Sequence, residues 1–170
     1  MTFATVLRAN LRQDPNVIMV GEIRDGETAE ISVKAALTGH LVLSTLHTNN
    51  APATVMRLVD MGIDRMYVGS SLLCVVAQRL VRRICKDCTE PYEPTDEELL
   101  KVHVTRESMA GHTCHRGKGC ATCGGSGYKG RVALYEIMRM TPKVEDSIYR
   151  GDYLHDLTDV CIAEGMQTLR

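Results

Sequence analysis

The sequence predicts an α/β protein: parallel strands flanked by helices, then a cysteine-rich subdomain, then a closing strand with two helices. Three observations predict it. Two short apolar runs, Val17–Val20 and Leu41–Leu43, are separated by one helix-length segment. A strand–helix–strand order with a right-handed crossover makes such strands parallel, and unbroken apolar runs predict burial on both faces. Four of the seven cysteines form two C-x-x-C pairs, Cys85/Cys88 and Cys120/Cys123, inside a stretch rich in glycine and proline.

The elements follow in order. Phe3, Val6, Leu7 and Leu11 recur at helical spacing over Thr2–Gln13, with Arg8 and Arg12 on one flank, and Pro15 ends that helix. The strand Val17–Val20 then runs to Gly21, which allows the backbone to turn close to a ligand, and to an acid and a base, Glu22 and Arg24. Asp25 to Thr28 is a capping turn for a helix over about 27–37, whose apolar side carries Ile31, Ala35 and Leu37. Gly39 sits at the C′ position that favours glycine. The second strand, His40 to His47, ends in the polar tip Thr45, His47, Thr48 and Asn49. Because the strands are parallel, Glu22 and His47 are expected at the same sheet edge, where ligands bind in open α/β sheets. Taken alone, the Glu22–Asp25 stretch also fits a solvated surface turn.

A helix is expected over Ala51–Met61, stopped by Gly62. One or two more are expected over Asp64–Arg83, with a basic face of Arg79, Arg82 and Arg83. Composition shifts at Cys85. A short acidic helix, Asp96–Val102, lies within the cysteine-rich stretch; a strand over Arg131–Met138 and helices over Pro142–Arg150 and Tyr153–Glu164 follow. The expected divisions are residues 1–84, 85–130 and 131–170.

Composition narrows the function. A net charge of −1 disfavours binding nucleic acid or anionic lipid through bulk charge. No apolar run approaches the roughly 20 residues that span a bilayer, and there is no signal-peptide pattern at the N-terminus. Seven cysteines, an odd number, disfavour a disulfide scaffold and point to metal chemistry in a reducing, cytoplasmic compartment. Each C-x-x-C offers two thiolates to one ion, and two such knuckles complete a tetrahedron: a closed structural site for Zn²⁺, with an iron–sulfur centre the weaker alternative. Cys114, His112 and His115 are near enough in sequence to be rival ligands. Cys74 and Cys161 fall in apolar segments expected to be helical and are assigned to the core. The run Cys120–Gly127 also fits the C-x-x-C-x-G-x-G repeat of J-domain co-chaperones, but as a single copy it signifies only local knuckle chemistry.

Read together, these segments resemble the secretion ATPases, RecA-like P-loop NTPases that power type II secretion and type IV pilus assembly. Leu11–Asp25 resembles that family's Walker B signature, with Asn16 where Asp is usual. Gly39–Asn49 resembles its His box, Gln78–Arg83 followed by Cys85 the run into its tetracysteine insert, and Gly127–Arg131 with Tyr135-Glu136 the segment leaving it. The cysteines make the chain similar to the assembly ATPases and unlike the retraction ATPases. The resemblance implies part of a RecA-like parallel sheet, a zinc subdomain and a C-terminal helical subdomain. It implies ATP and Mg²⁺ as cofactors, with Glu22 as the acid acting through Mg²⁺ or on the attacking water. His47 would contact the γ-phosphate, with His40 a supporting member of the same box. Arg79 and Arg82 are the candidates for nucleotide charge stabilisation, while Arg24 and Asp25 shape the loop. The implied assembly is a homo-hexamer at the cytoplasmic side of the inner membrane, docked on a platform protein of the secretion or pilus machine, with no nucleic acid. No G-x-x-x-x-G-K-[ST] occurs in the chain. That loop supplies the phosphate cradle, so the chain is expected to be an internal fragment or truncated product, inactive alone. A zinc-dependent interaction module without nucleotide chemistry is the competing expectation.

Overall fold

The computed structural model describes residues 3–169. These residues fall into two compact units, 3–78 with 135–169, and Arg79–Leu134.

In the first unit, α1 (Phe3–Asn10) leads through one 3₁₀ turn (Leu11–Gln13) to β1 (Val17–Val20). Helix α1 buries Ala4 and Leu7, whereas Phe3 and Val6 face outward, so its apolar stripe is offset from the spacing expected. Thr2, expected to begin that helix, lies outside the described residues. After β1 come α2 (Gly26–Leu37), β2 (Leu41–Ser44), α3 (Ala51–Asp60) and α4 (Arg65–Ser71). Strands β1 and β2 pair in parallel, Val17 opposite Leu41 through Val20 opposite Ser44. Only one face of this pair is buried: Ile18 and Val20 enter the core, while Val17 and Met19 are 54% and 79% exposed. Burial on both faces, which the apolar runs predicted, is therefore not found, because the core gathers on one side of a two-stranded sheet.

The helix ends follow local chemistry. Asp25 caps α2 by accepting the Thr28 N–H at 2.8 Å, and Asn50 caps α3 by accepting the Ala53 N–H at 2.9 Å. Helix α2 closes with the left-handed Gly39 (φ 97°), and the His40 N–H returns to the Ala35 carbonyl. Helix α3 closes the same way at Gly62, and the N–H of buried Ile63 returns to the Leu58 carbonyl.

The structure differs most from expectation after Ser71. Cys74–Ile84 is strand β3, paired with β6 (Tyr128–Arg139) in a two-stranded ribbon. The doubled apolar residues Val75-Val76 and Leu80-Val81 fit a helix face, but β-branched residues also favour a strand, and the distant β6 supplies its hydrogen bonds. Cys74 consequently lies exposed on β3, not in a core. Both strands begin in one unit and end in the other.

The chain returns to the first unit with α6 (Pro142–Arg150), capped by Thr141, and α7 (Leu154–Ala163). The core of this unit gathers Ile18, Val20, Val55, Val68, Met138 and Leu157. Cys161 on α7 is buried as expected, and burial pushes its thiol up to about 11.

The second unit holds β4 (Thr89–Tyr92) antiparallel to β5 (Cys114–Gly117), and the short α5 (Asp96–Lys101) with a Thr95/Glu98 capping box. Among the described residues no helix is long and apolar enough to cross a membrane.

Candidate functional site

Two constellations stand out, one in each unit. The first is at the tips of β1 and β2. Beyond Val20 the chain opens away from β2 but stays tethered: the Ile23 N–H donates to the Thr45 carbonyl at 3.0 Å, and the Thr45 hydroxyl donates to the Gly21 carbonyl at 2.8 Å. These bonds extend the parallel register and bring Glu22 beside His47. His47 Nε2 lies 3.1 Å from Glu22 Oε2, while Arg24 reaches Glu22 Oε1 at 2.5 Å. The Arg24 hydrogen bond, with a further one from His47, holds the Glu22 carboxyl below its ordinary range against the opposing effect of burial. Glu22 is thus an anion at neutral pH, with both oxygens engaged. The Glu22 side chain is 25% exposed and that of His47 85%, so His47 is open to a ligand. A side chain at Gly21 would meet nothing within 4 Å, so no close approach inside this chain requires that glycine.

The expected residues do not all meet there. His40 lies at the opposite end of β2, where its Nδ1 is 3.0 Å from the Ala35 carbonyl and 3.2 Å from the Thr38 hydroxyl. That position satisfies orphan groups at the end of α2. Arg79 and Arg82 are on β3 and belong to the Arg79–Leu134 unit, whereas Glu22 and His47 belong to the first unit. The Arg82 guanidinium stacks over the Tyr128 ring at 4.2 Å. Asp25 shapes the loop as expected, through the α2 cap. Sequence reasoning missed the role of Arg24 as a direct partner of Glu22. The i, i+2 spacing that puts both on one side of an extended segment was the available signal.

The second constellation is the cysteine cluster. Sγ atoms of Cys85, Cys88, Cys120 and Cys123 all lie within 4.8 Å of one another. The 85–120 and 88–123 pairs are 3.9 Å apart and the 120–123 pair 3.8 Å. A tetrahedron with Zn–S bonds of about 2.3 Å has sulfurs about 3.8 Å apart, so the spacing suits one ion. Backbone amides aim at these sulfurs: Cys120 and Gly127 N–H at 3.2 and 3.3 Å from Cys123 Sγ, and Gly119 N–H at 3.3 Å from Cys88 Sγ. The Cys120 amide first, then that of Gly127, lowers the Cys123 thiol to about 6, whereas burial raises Cys88 to about 12. Two glycines make the knuckles fit: a Cβ on Gly117 would lie 2.0 Å from the Gly127 carbonyl oxygen. Among the described residues, His112, Cys114 and His115 do not join this group; Cys114 sits on β5 opposite Tyr92. A closed set of four thiolates can hold a metal ion and leaves no position for a substrate.

The whole chain also matches known proteins. A family model described as type II/IV secretion system protein matches residues 1–170. The chain is 44% identical over 170 residues to the type IV pilus assembly ATPase PilB of Thermus thermophilus, covering all of this chain and 19% of that protein. It is 51% identical over 158 residues to type II secretion system protein E of Pseudomonas aeruginosa, covering 93% of this chain and 31% of that protein. Among solved structures, the pilus retraction motor PilT with bound ADP superposes with a TM-score of 0.59 at 27% identity, over 99% of this chain and 41% of that one. The chain thus spans less than a third of the curated relatives' length. Matched along its whole length by that model, the chain belongs to the type II/IV secretion system protein family.

Proposed function

We propose that this chain is the Walker B and His-box portion, with the zinc subdomain, of a hexameric motor ATPase driving type II secretion or type IV pilus assembly. The observation that carries the reading is the Glu22–His47 pair, held 3.1 Å apart at the ends of two parallel strands. Carboxyl ends of parallel strands are where α/β proteins place ligands, and the paired strands would be part of a larger RecA-like sheet. Glu22, already anionic, would orient the attacking water or hold Mg²⁺, and the exposed His47 imidazole would face the γ-phosphate. Bound ATP with Mg²⁺ would supply the phosphoryl group, and Glu22 would supply the acceptor oxygen that orders water beside it. Arg79 and Arg82 would neutralise phosphate charge in the assembled motor, and His40 would support the box from the far end of β2. The four cysteines would hold one Zn²⁺ as a structural brace, and the motor would work in the cytoplasm, docked peripherally on an inner-membrane platform protein. The chain alone would not hydrolyse ATP, because the phosphate-cradling loop is absent from its sequence.

The test joins this chain to an upstream P-loop segment and changes Glu22→Gln. The expected result is a loss of kcat of about 100-fold or more with ADP binding retained. Full ATPase activity after that change overturns the reading and leaves a zinc-dependent interaction module. For the metal, the purified chain should carry about one zinc, and Cys85→Ser with Cys120→Ser should abolish it. Unchanged zinc content refutes the assignment.

A further inference from the structure

Among the described residues Glu136 is the only buried carboxylate, at 3% exposure. A carboxylate taken out of water is costly unless hydrogen bonds hold it. Here one oxygen accepts the Ala51 N–H at 2.6 Å and the other accepts the Leu169 N–H at 3.2 Å. Ala51 is the first residue of α3, where the N–H has no partner within the helix and the helix dipole favours an anion. Asn50 secures Ala53 in the same turn, so Glu136 and Asn50 together fix where α3 begins.

Four residues before Ala51 is His47. The segment carrying it is pinned at one end by Thr45, whose hydroxyl holds the Gly21 carbonyl, and at the other by the contact of Thr48 with Thr54 on α3, at 3.0 Å. The imidazole therefore sits between the tip of β1 and the first turn of α3. A shift of about 1 Å at the start of α3 would carry the 3.1 Å contact with Glu22 out of hydrogen-bond range. We propose that Glu136 is a positioning residue for the Glu22–His47 pair, coupling the segment after α7 to His47 through the start of α3. This deepens the ATPase reading: only its consequence for turnover rests on that reading, and the placement of His47 is measurable without nucleotide.

The test uses the 170-residue chain and the ring ¹⁵N–¹H correlation of His47, assigned by its loss in His47→Gln. Glu22→Ala gives the resonance position of His47 without its partner. In Glu136→Gln the His47 signal is expected to move at least half of the way to that position, with the signal of His115 in the other unit unmoved. Leu169→Pro removes the N–H given to the second oxygen, together with a leucine side chain packed against the core, and should move His47 in the same direction by less. A folded Glu136→Gln chain with His47 at its original position overturns the proposal. Should that variant fail to fold, an unmoved His47 in Leu169→Pro overturns it instead. Failure of the Glu22→Gln ATPase test leaves this expectation standing, and the converse holds.

Discussion

Gly117→Ala tests whether the cysteine cluster depends on backbone contact as well as on its sulfurs. The new Cβ would lie 2.0 Å from the Gly127 carbonyl oxygen and 2.6 Å from its Cα. Ordinary contact needs about 3.5 Å, so Gly127 must retreat by roughly 1.5 Å. Gly127 carries two bonds that cannot survive such a shift: its N–H to Cys123 Sγ at 3.3 Å, and its carbonyl to the Cys85 N–H at 2.9 Å. The lost backbone bond costs about 1 kcal/mol and the overpacking about 1–3 kcal/mol. Loss of an outer-shell partner to a metal ligand lowers metal affinity by about 10–100-fold. Zinc affinity measured by competition with a chromophoric chelator should fall by that factor, and thermal unfolding of the zinc-loaded chain should shift down. Gly21→Ala is the control, because its Cβ enters open space and should leave stability within about 0.5 kcal/mol. Wild-type zinc affinity in Gly117→Ala would show that the glycine contact is irrelevant to the site.

Acid should weaken the β1 tip and the α2 cap. The Arg24 hydrogen bond holds Glu22 below its ordinary 4.5, and the Thr28 amide holds Asp25 below its ordinary 3.8. Both groups therefore contribute stability above those ordinary values and lose it as pH falls through the lower folded values. Denaturant midpoints measured from pH 6 to pH 2.5 should decline less steeply in a Glu22→Gln, Asp25→Asn chain; an equal decline contradicts the sign. In the core, Leu157→Ala should destabilise by about 2–5 kcal/mol, since Leu157 is fully buried on α7. Urea unfolding would check it, and a loss below 1 kcal/mol would mean that α7 does not pack as described.

What the sequence determined by itself was local, and local chemistry explains why. Asp25, Asn50 and Thr141 cap the helices that follow them because a side-chain oxygen three residues back satisfies an orphan N–H whatever the rest of the chain does. Gly39 and Gly62 end helices because a left-handed residue costs glycine little. The C-x-x-C knuckles and the parallel order of β1 and β2 were legible for the same reason, as spacing within one short segment or one crossover. The long-range partner decided the rest. Cys74–Ile84 reads as helix from its own pattern but is a strand because β6, far along the chain, supplies its hydrogen bonds, and Cys74 thereby lies at the surface. Phe3 and Val6 face outward because the core takes Ala4 and Leu7 instead. His40 and His47 share one sequence motif, yet β2 separates them, and only His47 reaches Glu22. Glu136 has no local signal: a charged residue on a strand normally faces water, and its burial depends on two backbone amides, one from α3 and one from the segment after α7, meeting at one point.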